Sequence, residues 1–106
     1  MAVTPFPAIV QEVVDLLCVS STNTLALDSD RAGLLVTASE QTEGRGRNGR
    51  SWFSPPGANL YATLTVGMAD PRLSLVAGAA IREALAEVAG NDFPVGIKWP
   101  NDLIVQ

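Results

Sequence analysis

The sequence contains no histidine. That absence removes Ser–His and Cys–His nucleophilic catalysis and the common zinc ligand sets together. Cysteine is nearly as scarce. Cys18 is the single one, so no internal disulfide can form and a reducing, cytoplasmic setting is expected. Long apolar runs are also missing: stretches such as Ala32 to Ala38, broken by Thr37, and Val76 to Ile81 fall far short of the ~20 residues of a transmembrane helix. Met1 to Ala8 lacks the basic start and continuous apolar stretch of a secretory signal. Basic residues are few, 7 against 11 acidic ones, for a net charge of −4. That balance argues against sequence-blind binding to nucleic acid, which needs a basic face to displace counterions. Chemistry in this chain must therefore run on arginine, lysine, carboxylates and backbone.

What is present is a chain of 106 residues, 47% hydrophobic, enough for one domain with a modest core. Ile9 to Leu17 carries apolar residues at spacings compatible with a short helix that runs into a strand around Cys18. Ser20, Ser21 and Thr22 precede Asn23 to Leu27, so a hydroxyl or Asn side chain can cap a brief helix that ends over Asp28 to Gly33. Leu34 to Ala38 reads as a buried strand. Ser39 to Ala58 holds four glycines and two prolines without periodicity and is expected to be a long loop, of the kind that is usually functional. Asn59 to Val66 alternates as a strand, with Leu60, Ala62, Leu64 and Val66 on one face and Tyr61, Thr63 and Thr65 on the other. Asp70 and Pro71 open a helix whose apolar positions recur from Leu73 to Val88 until Gly90 stops it. Val95 to Trp99 and Leu103 to Val105 read as two strands joined by a turn at Pro100, Asn101 and Asp102. The chain stops at Gln106 within an apolar run, which suggests a truncated domain with an exposed strand edge.

Positive charge is concentrated. Arg45, Arg47 and Arg50, three of the seven basic residues, fall within six positions. Gly44 to Gly49 matches the spacing G-x-G-x-x-G of dinucleotide-binding folds, but that fingerprint needs a helix to start at its last glycine. Pro55, Pro56 and Gly57 follow instead, and the match is rejected. A glycine loop with three guanidiniums remains, suited to carboxylate or phosphate oxygens. A flexible Arg/Gly surface segment that brushes RNA is the plainer reading of the same residues.

Four blocks stand in order along the chain: Ser21-Thr22-Asn23; Ser39-Glu40-Gln41-Thr42 leading into Gly44 to Arg50; Ser51-Trp52-Phe53-Ser54-Pro55-Pro56-Gly57-Ala58-Asn59-Leu60-Tyr61; and Lys98-Trp99-Pro100-Asn101-Asp102. Together they resemble the catalytic domain of the biotin protein ligase family from Ser20 to the end of the chain. The resemblance implies an α+β fold, a mixed sheet with helices on one side. It implies ATP-dependent joining of biotin to a lysine of a biotin carboxyl carrier protein domain, through biotinyl-5′-AMP and with Mg2+. It further implies that Ser21, Thr22, Asn23 and Gln41 meet the ureido ring of biotin, whose donors and acceptor suit hydroxyl and amide groups. Arg45, Gly46 and Arg47 would close over biotin and hold the adenylate, with Arg45, Arg47 and Lys98 as the catalytic cations. Arg47, Trp52, Lys98 and Asn101 would take the nucleotide, and Asp102 the metal.

Each residue also has an ordinary explanation. Ser21 to Asn23 can simply cap a helix, Gln41 can end a strand, Trp52 can be a core or lid residue, and Asn101 and Asp102 can build a turn. Arg50 reads as a structural partner. Lys98, on an otherwise apolar strand, is costly unless it meets an anion.

Where the family carries a further lysine-bearing strand, this chain ends. On this resemblance the chain is also expected to be without the family's small C-terminal barrel and any helix-turn-helix, and its linker Asp28 to Arg31 is short for the family. Self-association through the sheet edge, a homodimer in the first instance, is expected on that ground, with no membrane and no nucleic-acid partner. A lipoate or octanoyl ligase of the same superfamily and a non-catalytic biotin-binding or self-associating module stay open beside the main reading.

Overall fold

The computed structural model describes residues 9–67, 69–90, 92, 94–98 and 102–105, and for Arg47 the backbone alone. Its contacts divide into two units, one up to Gly67 and one from Met68 onward.

The first unit is built on a mixed three-stranded sheet. β1 (Glu12–Leu16) runs parallel to β2 (Leu34–Ala38), and β2 runs antiparallel to the strand Tyr61–Leu64, in the order outer, central, outer. The helix expected over Ile9 to Leu17 is therefore a strand. Val14 and Leu16, two residues apart, pack against the core, while Glu12 on the same side reaches Arg31 at 2.6 Å. A run this short with β-branched Val13 and Val14 gains little from helical hydrogen bonding, and pairing with β2 decides its conformation.

The short helix α1 (Thr22–Leu27) begins where expected. Ser21 is extended at φ −160°, ψ 133°, and its side chain accepts the N–H of Thr24. The apolar side of α1 supplies Ala26, which joins Leu34 and the fully buried Val36 in the core. β2 spans Leu34 to Ala38 as expected, with Leu34, Val36 and Ala38 buried at alternate positions.

The segment expected to be a loop contains a β-hairpin. β3 (Gln41–Arg45) and β4 (Ser51–Ser54) pair antiparallel, with Gly44 opposite Trp52 and Arg45 opposite Ser51. Between them Asn48 sits at φ 58° and Gly49 at φ 74°. Consecutive positive φ angles are what an Asn-Gly pair supplies at low cost, so the dipeptide closes a hairpin. The Gly46 N–H donates to the Arg50 carbonyl at 2.7 Å across the turn. The strand Tyr61–Leu64 follows as β5.

The second unit holds α2 (Leu73–Ala89) and an antiparallel pair, β6 (Val95–Lys98) and β7 (Asp102–Val105). Gly90 at φ 97° ends α2 as expected, and Arg82 Nε donates to the Val95 carbonyl at 3.0 Å, tying the helix to β6. The helix starts at Leu73, two residues later than Pro71. Asp70 serves the turn before it, its carboxylate accepting the Arg72 N–H at 2.8 Å and pairing with the guanidinium at 2.7 Å. These contacts, the side chain of Arg72 first and its backbone second, hold the Asp70 carboxyl below its ordinary range. A lowered carboxyl pKa contributes stability at neutral pH that is lost as pH falls from the ordinary carboxylate range through the lowered value. An NMR titration should accordingly find the Asp70 midpoint below that of an unpaired Asp and raised only part of the way back in Arg72→Ala, which removes the guanidinium but keeps the backbone N–H donor; an ordinary midpoint in the parent protein would remove the pairing.

Among the described residues no helix is long and apolar enough to cross a membrane. Cys18 is a free, exposed thiol, pushed up from its usual pKa by partial desolvation and then by the carboxylate of Glu40.

Candidate functional site

The site in the first unit is assembled by backbone pairing before any side chain meets a ligand. The segment after β1 lies beside the start of β3: the Val19 N–H donates to the Glu40 carbonyl at 3.2 Å, the Thr42 N–H to the Val19 carbonyl at 3.0 Å, and the Glu43 N–H to the Ser20 carbonyl at 2.7 Å. This ladder carries Ser21 and Thr22 to Gln41, although about twenty residues of chain separate them. The Thr22 N–H donates to Gln41 Oε1 at 2.8 Å and Thr22 Oγ1 donates to the same oxygen at 3.2 Å. Thr22 Oγ1 also lies 2.9 Å from Thr63 Oγ1 on β5. Gln41 Nε2 donates to Ser54 Oγ at 3.2 Å. Ser21, Thr22 and Ser54 are buried, and among the described residues no buried side-chain polar atom lacks a partner.

The capping explanation of the Ser-Thr-Asn block holds for Ser21, which caps α1, while Thr22 forms a polar floor with Gln41. Asn23 is exposed on α1 and makes none of the described hydrogen bonds of this floor. Gln41 opens β3 and is half-buried.

Across the hairpin the surface changes from hydroxyl and amide to cation and aromatic. A groove of about 390 Å³ is lined by Glu43, Arg45, Arg50 and Trp52 among others. Arg45 ends β3 and is exposed. Arg47 begins the turn Arg47–Gly49. The Arg50 carbonyl closes the hairpin, and its exposed side chain joins Arg45 in the groove and takes part in no ion pair among the described residues.

Trp52 is 66% exposed and is not a core residue. Its indole lies against Gly46, where a Cβ would come 2.5 Å from Nε1. Gly46 therefore serves the site by having no side chain.

The second unit holds Lys98 and Asp102. They are register partners across β6 and β7, and both are exposed. Lys98 pays no burial cost, so the argument that it must meet an anion to be tolerated does not apply. Asp102 is the first residue of a strand and not part of the connecting turn. Asn101 lies outside the described residues, as do Trp99 and Pro100. Among the described residues no three His, Cys, Asp or Glu side chains converge on a point that would hold a metal.

Ser54 and Thr63 complete the floor without having been singled out in the sequence. Thr63 was legible as the middle of the polar face of β5. Ser54 was hidden because its segment, read as a loop, offered no alternation to show that it shares a side of β4 with Trp52.

The same architecture recurs in known proteins. The bifunctional ligase/repressor BirA of Escherichia coli is 41% identical over 96 residues, which cover 83% of this chain and 29% of that protein. The biotin protein ligase of Aquifex aeolicus, solved in complex with biotin and ATP, superposes with a TM-score of 0.78 at 34% identity, over 91% of this chain and 42% of that one. The biotin protein ligase of Leishmania major, in complex with biotinyl-5-AMP, gives 0.73 at 35% identity, over 89% of this chain and 47% of the other. The chain spans under a third of the curated relative and less than half of each solved chain. The α+β fold with its mixed sheet is the one expected. The family model of the biotin/lipoate A/B protein ligases matches residues 16–106, and the chain belongs to that family.

Proposed function

We propose that this chain carries the biotin- and nucleotide-facing part of a biotin protein ligase, which activates biotin with ATP and passes it to a lysine of a biotin carboxyl carrier domain. The observation that carries the reading is the junction of two chemistries on one hairpin. At one end Thr22 and Gln41 form a neutral polar floor suited to a urea ring, and along the other Arg45, Arg50 and Trp52 line a groove suited to phosphate and a purine. The complexes of the relatives with biotin, ATP and biotinyl-5-AMP favour biotin over lipoate.

In the first step a carboxylate oxygen of biotin attacks the α-phosphorus of ATP and pyrophosphate leaves. In the second, the carrier lysine's amine attacks the acyl carbon of the mixed anhydride and AMP leaves. No side chain of this chain acts as a covalent nucleophile. Arg45 and Arg47 act by holding the two anions together and by favouring the charge that spreads over the phosphoryl oxygens; Lys98, on the second unit, is the further cation that the resemblance assigns to the nucleotide. Trp52 offers its face to adenine, and Asn101 a polar contact to the nucleotide. Asp102 is a donor of the hard type that Mg2+ takes, one carboxylate beside substrate phosphates, and the metal would supply further charge neutralisation there. ATP supply makes the cytoplasm the expected setting. Self-association through β7, which pairs only with β6 among the described residues and where Ile104 and Val105 are exposed, belongs to the same reading.

Arg47→Ala tests the cation assignment. Removing one charge-assisted contact costs about 1.5–3 kcal/mol, so pyrophosphate release on addition of biotin and ATP should fall by roughly ten- to a hundredfold while the thermal midpoint barely moves. Release at the parent rate would refute it.

A further inference from the structure

The side-chain amide of Gln41 is held at both ends, and the bonds that hold it run in one direction. Its Oε1 accepts from the Thr22 backbone N–H at 2.8 Å and from Thr22 Oγ1 at 3.2 Å. A backbone N–H can only donate, so the oxygen end of the amide is identified and the nitrogen end faces Ser54. Nε2 donates to Ser54 Oγ at 3.2 Å, and the Ser54 hydroxyl donates to the Trp52 carbonyl at 3.3 Å. A hydroxyl has one proton. With that proton given to Trp52, Ser54 can serve Gln41 only as an acceptor.

Two acceptor positions of Oε1 are thereby filled and one Nε2 proton is committed. What Gln41 has left to offer is a single N–H. Ser54, at 4% exposure, is too buried to meet a ligand and can act only through Gln41. Gly44 keeps the path clear, since a Cβ there would fall 2.6 Å from Ser54 Oγ and 3.1 Å from Gln41 Nε2.

We propose that Ser54 is a positioning residue that makes Gln41 a donor-only contact, so that the polar floor selects a ligand with a carbonyl-type acceptor at that point and disfavours one with a donor there. This rests on the biotin reading, in which the urea oxygen is such an acceptor, and it narrows the role of Gln41, whose amide the sequence alone left free both to donate and to accept.

Two measurements separate this role from general packing and from the biotin reading itself. The Gln41 side-chain amide is observed by NMR in the ligand-free protein, in Ser54→Ala, in the milder Ser54→Cys, whose sulfur is a weak acceptor, and in Ser54→Thr. The proton given to Ser54 should move upfield and exchange faster in the Ala and Cys variants, and keep its parent behaviour in the Thr variant. Calorimetric titration then compares biotin with 2-iminobiotin, in which a guanidine replaces the urea and the acceptor oxygen is gone. The parent should prefer biotin. Ser54→Ala and Ser54→Cys should weaken biotin about tenfold and leave 2-iminobiotin little changed, and Ser54→Thr should restore the preference. Equal weakening of both ligands, or unaltered Gln41 amide signals in the Ala and Cys variants, overturns the proposal. Should the parent bind neither ligand, the biotin reading falls, and the amide spectra still decide the role of Ser54.

Discussion

Val36→Asp is expected to unfold the first unit. Among the described residues Val36 is the one large side chain with no exposure, at the centre of the sheet and under α1. Its described neighbours Ala26, Leu34, Val14 and Leu16 offer no counter-charge. An unpaired carboxylate in such a place costs several kcal/mol even when it escapes by protonating, against a total stability for small domains of about 5–15 kcal/mol. The milder Val36→Ala removes two methyl groups and leaves a small cavity, for a loss of about 2 kcal/mol. Circular dichroism with urea titration checks both. A cooperative transition at the parent midpoint in Val36→Asp would show that the core lies elsewhere.

The second large effect is expected at Gly44. A Cβ at this position would meet Ser54 Oγ at 2.6 Å and the Trp52 carbonyl at 2.9 Å. The second contact is with backbone, which cannot turn aside as a side chain can. Gly44→Ala must therefore shift β4 against β3, breaking the Gln41–Ser54 bond and moving Trp52 together with its groove. Overpacking of this kind costs about 1–3 kcal/mol. Because the strain falls on the hairpin that carries both halves of the proposed site, biotin affinity is expected to fall by ten- to a hundredfold. Titration with biotin and the fluorescence of Trp52 read the two consequences. Unchanged values for both would mean that the β3–β4 register is not what positions the floor.

Some of this was legible in advance because it depends on neighbours in sequence. The cap at Ser21, the strand Leu34 to Ala38 and the end of α2 at Gly90 are each set within a few residues, by a hydroxyl one turn from an N–H, by alternation of apolar residues, and by a glycine that accepts positive φ. β1 was misread because five residues with valines at adjacent positions satisfy either period, and its partner β2 lies about twenty residues away. The hairpin was misread because glycine and arginine mask periodicity, although Asn48-Gly49 is itself a turn signal.

By itself the sequence determined which chemical groups the protein has to work with: no imidazole, one thiol, three arginines in a glycine-rich segment, and hydroxyl and amide residues at the start of a short helix. It also determined the family, since four blocks in a fixed order are a linear property. Only the tertiary structure decided that Thr22, Gln41, Ser54 and Thr63 form one network, that Trp52 lies against Gly46, and that Lys98 is exposed rather than buried. The physical reason is that a hydrogen bond's direction and a side chain's burial are set by the strand opposite, and which strand lies opposite is fixed by backbone pairing between segments far apart in the chain.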